Sequence, residues 1–332
     1  LVGCVVLALT CGSPQSLGFG LTAESLPRSL DVPIGLDRYL PAPADNPITN
    51  EKIGLGRRLF SDKRLSKDGQ TACATCHQPA RRFTDGRILA RGVFGREGQR
   101  NTPSILNRVY GRSAFWDGRA ATLEDQVRAA MSSERDLGLP IEEAVARVSR
   151  DARYARDFES AFGARVTSER LAQALATFVR SRLSGNSRFD RFLSGDATAL
   201  GVAERRGLEL FSGRARCARC HAGPLLSDEA FHNTGVAWRD GRLLDSGRGA
   251  ITGRDSDRGA FKTPTLREIA RTAPYMHDGS LAGLRDVIDF YDRGGQPNPY
   301  LDSEIRPLRL TAEDKTALIA FLRALNGTVS GR

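Results

Sequence analysis

The sequence predicts an all-α fold assembled from two related helical units. Three observations carry that prediction. The segment "TPSILNRVYGRSAFWDGRAATLEDQVRAA" at 102–130 lies over "TPTLREIARTAPYMHDGSLAGLRDVIDFY" at 263–291, without a gap and at a constant offset of 161. The pattern C-x-x-C-H occurs at 73–77 and again at 217–221. After each repeated Asp-Gly pair the apolar residues fall at i, i+4, i+7: Leu123, Val127 and Ala130, then Leu284, Ile288 and Tyr291.

The chain opens with "LVGCVVLALTC", apolar and uncharged. A bilayer span needs about 20 residues, so this run reads as the back half of a secretion signal. Cys4 in "LVGC" and Cys11 before "GSPQS" compete as lipid-anchor positions. Residues 1–25 are therefore assigned to a residual signal peptide or lipoprotein anchor, and the protein is expected in the periplasm. The first unit then occupies 30–196 and the second 197–332. In each unit a helix precedes the cysteine motif, as "RRLFSD" at 57–62 and "LELFSG" at 208–213 echo one another. An irregular loop, a Thr-Pro turn, an Asp-Gly turn and the repeated helix follow.

Four of the six cysteines and two of the four histidines sit in Cys73-Cys76-His77 and Cys217-Cys220-His221. C-x-x-C-H is the attachment signature of c-type haem: two thiols add to the vinyl groups and the next histidine binds iron. A zinc ribbon would bring its halves within about 15 to 20 residues, and a dithiol redox pair needs no adjacent histidine. Two covalently bound haem c groups are expected, which makes each unit cytochrome c-like and agrees with export.

The repeat sets Ala130 opposite Tyr291. If that position faces the distal side of each iron, the first haem is open to a small molecule and the second is closed by a phenol oxygen. Met276 and His277 are competitors for the second iron, although His277 falls opposite Trp116. Met131 could close the first haem, but one residue along a helix turns a side chain about 100° away.

Composition is that of an ordinary globular protein, with 40% hydrophobic and 27% charged residues. A net charge of +10 suggests acidic partners, yet the arginines are spread without a block or an aromatic interleave, so no nucleic-acid partner is expected.

These residues resemble the bacterial di-haem cytochrome c peroxidase and MauG family over about residues 30 to 326. The paired C-x-x-C-H, "RNTPSILN", "FWDGRAATLEDQ", "FHNTG", "KTPTLREIARTAPYMHDGSL" and "LIAFLRALN" carry the likeness. The resemblance implies a peroxide-reactive N-terminal haem held by His77 and an electron-transfer haem held by His221 and Tyr291, as in the tyrosine-ligated MauG-like branch. It implies a relay at Trp116 between the haems and a peroxide pocket with Gln126. The pocket glutamate of the family is replaced here, with Asp136 as its shorter counterpart and Glu134 nearby. A calcium ion between the units would take Asn101, Thr272 and Pro274. The loop "GRILARGVFGREGQ" lacks the gating histidine of many peroxidases, so the first haem is expected to be reactive when ferric.

The implied activity is that of an oxidoreductase using hydrogen peroxide, with two equivalents shared as a bis-Fe(IV) state and spent on a Trp or Tyr of a partner protein. The competing expectation is a cytochrome c peroxidase drawing electrons from a small cytochrome or cupredoxin. Trp238, the other tryptophan, is a candidate exit to the surface.

Overall fold

The computed structural model describes residues 30–330. The apolar N-terminal segment with Cys4 and Cys11 lies outside the described residues. The described chain is mostly helical: α1 (Asn50–Phe60), α2 (Cys73–Cys76), α3 (Leu123–Ser132), α4 (Ile141–Val148), α5 (Ala152–Phe162), α6 (Ser168–Arg180), α7 (Arg188–Leu193), α8 (Val202–Ser212), α9 (Gly249–Thr252), α10 (Leu284–Asp292) and α11 (Ala312–Ala324). Three antiparallel pairs of two-residue strands depart from a purely helical expectation. They are β1 (Ser184–Gly185) with β6 (Thr328–Val329), β2 (Phe231–His232) with β5 (Phe261–Lys262), and β3 (Trp238–Arg239) with β4 (Arg242–Leu243). Each pairs backbone groups of irregular segments that would otherwise lack partners, β3–β4 as a tight hairpin.

Two hydrophobic cores form. The first gathers α1, α3, α4, α5 and α6 around Leu59, Phe158 and Leu171, and the second gathers α8, α10 and α11 around Leu210, Leu318 and Phe321. Helix α1 starts at Thr49, whose side chain accepts from the Lys52 amide, and ends with Arg57 and Arg58 in its last turn, where cations suit the helix dipole. It crosses α6 at Gly56, where a Cβ would lie 2.1 Å from the Ala174 carbonyl oxygen. Helix α8 crosses α11 the same way: a Cβ on Gly207 would lie 2.1 Å from the Ala317 carbonyl oxygen. Phe60 packs on Phe178 at 4.8 Å and Phe211 on Phe321 at 5.1 Å, so each crossing carries the same aromatic pair.

The offset of 161 recurs in the backbone. Asn107 and Glu268, Phe115 and Met276, and Gly118 and Gly279 all have positive φ, and the bridge Ala114–Ala120 repeats as Tyr275–Leu281. For non-glycine residues this region is sparsely populated, so its return at matched positions is structural duplication rather than chance.

The two halves meet through buried polar groups. Within the first half Asn107 bonds both backbone groups of Ser184, at 2.8 and 3.0 Å, and across the halves its counterpart Glu268 accepts from the Ser184 hydroxyl at 2.8 Å and from Arg82 at 2.7 Å. Arg108 holds Glu229 through two bonds of 2.7 and 2.9 Å, and Arg267 holds Asp190 at 2.8 and 3.0 Å. Removing one partner of such a pair strands a buried charge, so these contacts fix the relation of the halves more than they stabilise it.

Candidate functional site: a two-motif cavity

Between the halves lies one continuous cavity of about 800 Å³. Cys73, Cys76 and His77 border it from the first half; Cys217, Cys220 and His221 border it from the second. The first motif is helical, as α2; the second begins as a single 3₁₀ turn, entered through Arg216 in the left-handed region.

Each histidine is held the same way. His77 Nδ1 lies 3.0 Å from the Phe83 carbonyl oxygen and His221 Nδ1 lies 2.9 Å from that of Leu226. A carbonyl can only accept, so Nδ1 carries the proton and Nε2 keeps its lone pair for a metal. Burial holds both imidazoles below the usual histidine range, in the neutral form that ligation needs. The acceptors are presented by strained turns, with Phe83 and Leu226 both at positive φ.

Burial pushes the Cys73 thiol up to about 12, Cys76 to about 11 and Cys217 to about 12. Thiols of a redox pair are usually shifted the other way. The four cysteines are unpaired, and their place on the wall of a large cavity suits thioether attachment.

Other groups on this wall also fit a pair of haems with their acidic side chains. Arg216 is paired with Glu304 through Nη2, yet its Nε is buried with no partner. Lys262 is 9% exposed; burial, then Arg108, push it down to about 8, against Glu229 at 3.6 Å. Under-partnered cations on an apolar wall are suited to carboxylates. Neither residue was distinguishable in the sequence from the many other basic side chains.

Helix α3 carries Gln126 and Ala130 to the cavity, and α10 carries Tyr291 to the same cavity. Glu124, bonded twice by Arg180 at 2.7 Å and once by Asn46 at 2.7 Å, pins α3 to α6. Burial, and then the Cys217 and Cys220 sulfurs, raise the Tyr291 phenol above its usual range. Ala130 and its neighbour Met131 both border the cavity, and Met131, 1% exposed, is also packed in the first core.

The two candidate carboxylates separate. Asp136 borders the cavity and is held above the usual carboxylate range by burial. Glu134 does not border it: its side chain is 85% exposed, 3.7 Å from Arg96. The turn after α3 directs one acid inward and the other to solvent.

Trp116 borders the cavity between the halves. Its indole N–H donates to the Asn101 carbonyl oxygen at 2.9 Å, and its own carbonyl accepts from the Lys262 amide at 2.8 Å. Asn101, Thr272 and Pro274 all border the same cavity, and the Asn101 amide N–H donates to His277 O at 2.7 Å. The Asn101 side-chain nitrogen donates to Arg87 O at 2.7 Å, and among the described residues no donor reaches its Oδ1. A free oxygen there is compatible with a hard cation such as calcium.

His277 is buried, stacked on Phe261 at 3.6 Å, and pushed down to about 4 by burial. His232 is clamped between Asp302 at 2.5 Å and Asp228 at 2.9 Å, beside the Cys220 sulfur. Cys220, then Asp302 and Asp228, push it up to about 10. The two aspartates were not singled out in the sequence, because their convergence on one ring is set by a loop closing over 70 residues. Trp238 is absent from the cavity wall.

A cavity framed by two C-x-x-C-H segments with their histidines poised for iron defines the class: a di-haem c-type oxidoreductase. Known proteins agree. The family model of di-haem cytochrome c peroxidase matches residues 50–198. The methylamine utilization protein MauG of Methylorubrum extorquens is 39% identical over 288 residues, covering 86% of this chain and 81% of that one. The cytochrome-c peroxidase IdrP1 of Denitromonas iodatirespirans is 37% identical, covering 89% and 87%. The crystal structure of a MauG-like protein associated with microbial copper homeostasis superposes with a TM-score of 0.83 at 37% identity, over 88% of this chain and 95% of that one. The chain belongs to the di-haem cytochrome c peroxidase and MauG family, whose members carry two haems and use hydrogen peroxide. Among the described residues no helix is long and apolar enough to cross a membrane.

Proposed function

We propose that this chain is a periplasmic MauG-like enzyme that takes two oxidising equivalents from hydrogen peroxide at its first haem site and spends them on a Trp or Tyr of another protein. The observation that carries this reading is the pair Ala130 and Tyr291, at equivalent positions of α3 and α10, bordering one cavity. A methyl group leaves room for peroxide over the His77 site; a phenol oxygen fills the same place at the His221 site.

When bound, the haems supply peroxide activation and storage of both oxidising equivalents. The residues of the chain prepare and route this chemistry. Gln126, one turn from Ala130, orients peroxide through its amide. Asp136, inside the cavity, accepts and returns the proton that moves between the peroxide oxygens. Trp116 passes electrons between the two sites, and its N–H, committed to an amide carbonyl, has no base to which it can lose a proton. Tyr291 closes the second site and keeps it from competing for peroxide. Asn101 Oδ1 with the carbonyl groups of Thr272 and Pro274 holds a calcium ion that ties the halves together, and the units divide at 196/197.

The test is to mix the fully ferric holoenzyme with stoichiometric peroxide and no reductant, following the ferric EPR signals. A high-spin and a low-spin signal should vanish together. If nothing reacts until one haem is reduced, the enzyme is instead a peroxidase fed by a small cytochrome or cupredoxin.

A further inference from the structure

We infer that Arg108, Glu229 and Lys262 form a built-in cation: they fill the second of two equivalent cation places that the internal repeat creates, the first being the one that Asn101 offers to calcium. The inference rests on the calcium site proposed above.

The repeat makes the two places comparable residue by residue. The Asn101 amide donates to the His277 carbonyl oxygen at 2.7 Å, and the Lys262 amide donates to the Trp116 carbonyl oxygen at 2.8 Å. At the offset of 161, Asn101 matches Lys262 and Trp116 matches His277. Each half therefore gives the other the same hydrogen bond, as units related by an approximate two-fold axis do. The calcium place joins Asn101 of the first half to Thr272 and Pro274 of the second. Its counterpart joins Lys262 of the second half to Gly111 and Ser113 of the first.

That counterpart is already occupied. Arg108 Nη2 donates at 2.7 Å to the Ser113 carbonyl oxygen, the match of the one that Pro274 offers. The same guanidinium covers Gly111, where a Cβ would lie 1.9 Å from Nη2. Arg108 holds Glu229 at 2.7 and 2.9 Å, and Lys262 Nζ lies 3.6 Å from the same carboxylate. Two cations against one carboxylate leave the cluster positive.

None of these three charges is matched in the other half. Arg108 falls opposite Ile269 and Lys262 opposite Asn101. Glu229 stands where the first half has Gly86: each follows an aspartate and each has positive φ. A glutamate is disfavoured in that backbone region, so its partners are what hold it there. At the first place Asn101 Oδ1 meets no donor among the described residues, and the positive charge is left to come from solution. Trp116 is bonded to both places, through its N–H to the Asn101 carbonyl oxygen and through its own carbonyl to the Lys262 amide. The relay thus stands between one exchangeable cation and one fixed one.

The test strips the holoenzyme with a chelator, titrates it with calcium by equilibrium dialysis and counts bound ions per chain. The unsubstituted enzyme should take up one. Arg108→Ile/Glu229→Gly/Lys262→Asn, which gives the second place the residues of the first, should take up two. Lys262→Asn alone should still take up one, because Arg108 keeps the Ser113 carbonyl. In the converse experiment Asn101→Lys and Asn101→Ala should both take up none. Only Asn101→Lys should keep, in chelator, the ferric EPR signals and thermal midpoint of the calcium-loaded enzyme. Two ions in the unsubstituted enzyme, or one in the folded triple variant, overturns the inference. Where the triple variant does not fold, the Asn101 pair decides: if those two variants behave alike in chelator, an ammonium does not stand in for the ion and the inference is overturned. No uptake by the unsubstituted enzyme removes the calcium site and this inference with it, whatever its reaction with peroxide shows.

Discussion

The two ends of the cavity share a holding device and differ in what stands across from it. His77 and His221 each give Nδ1–H to a carbonyl in a positive-φ turn, six residues on in one case and five in the other. The helices opposite them, α3 and α10, start at equivalent positions, yet one presents Ala130 and the other Tyr291. The chain after α3 brings Asp136 to the cavity, whereas the chain after α10 first passes Gly294 and Gly295, both at positive φ, and reaches the cavity again at Glu304, Ile305 and Arg306. Duplication thus preserved the turn that holds each histidine, while the side chain at one matched position and the chain that follows the helix differ between the two sites.

Exchanging the two side chains attacks that difference directly. Ala130→Tyr should close the first site and lower the rate of reaction with peroxide by ~10³-fold or more, a barrier of about 4 kcal/mol, read by stopped-flow absorbance. Tyr291→Ala should leave that first reaction intact and convert the low-spin EPR signal to high-spin. If Ala130→Tyr reacts at the original rate, the equivalence of the two positions has no functional content.

Asp136→Asn should lower the same rate by about 10²- to 10⁴-fold, the usual share of a positioned proton carrier. Its pH dependence has a definite sign. In the proposed role the carboxylate is the proton acceptor, and burial holds its pKa above the usual aspartate range, so the rate should fall as pH drops through that raised value, earlier than for an exposed aspartate. Asp136→Asn should lack this acid limb, and Glu134→Gln should keep it.

Stability experiments test how closely the halves match. Glu268→Ala leaves the Arg82 guanidinium and the Gly327 amide without their partner, and should cost about 3 to 5 kcal/mol in denaturant unfolding of the holoprotein. Asn107→Ala, at the equivalent position but uncharged, should cost less, about 1 to 3 kcal/mol. Gly56→Ala and Gly207→Ala should each cost about 1 to 3 kcal/mol, because the added methyl meets backbone in both crossings. Unequal costs would mean that one crossing yields more easily than the other.

The smallest effect lies at the start of the two repeated helices. Thr122 caps α3 by accepting from the Asp125 amide at 3.0 Å, while its counterpart Gly283 has no side chain and its amide is held by Asp286 at 2.8 Å. Thr122→Ala should cost about 1 kcal/mol and Thr122→Gly only a few tenths. Equal costs would show that the side-chain cap contributes little beyond what glycine provides.

Much of the site was legible because its chemistry is written locally. C-x-x-C-H names attachment and ligand within five residues, and an ungapped repeat carries positional equivalence wherever the chain goes. Asp136 and Glu134 show where that stops. Two residues apart, both acids fit the pocket on paper, and only the turn after α3 turns one inward. His232 shows the same limit, since its two aspartate partners lie four and seventy residues away.

What the sequence determined by itself was the inventory: two cysteine motifs, two related helices, and alanine against tyrosine at one matched position, all properties of spacing along the chain. Tertiary structure decided which of these groups share one cavity, that Arg216 and Lys262 stand there under-partnered, and that Trp238 lines a second, smaller cavity with Phe290 rather than the main wall. The reason is physical: spacing is inherited from covalent connectivity, but burial, pairing and line of contact are set by loops of dozens of residues closing on one another.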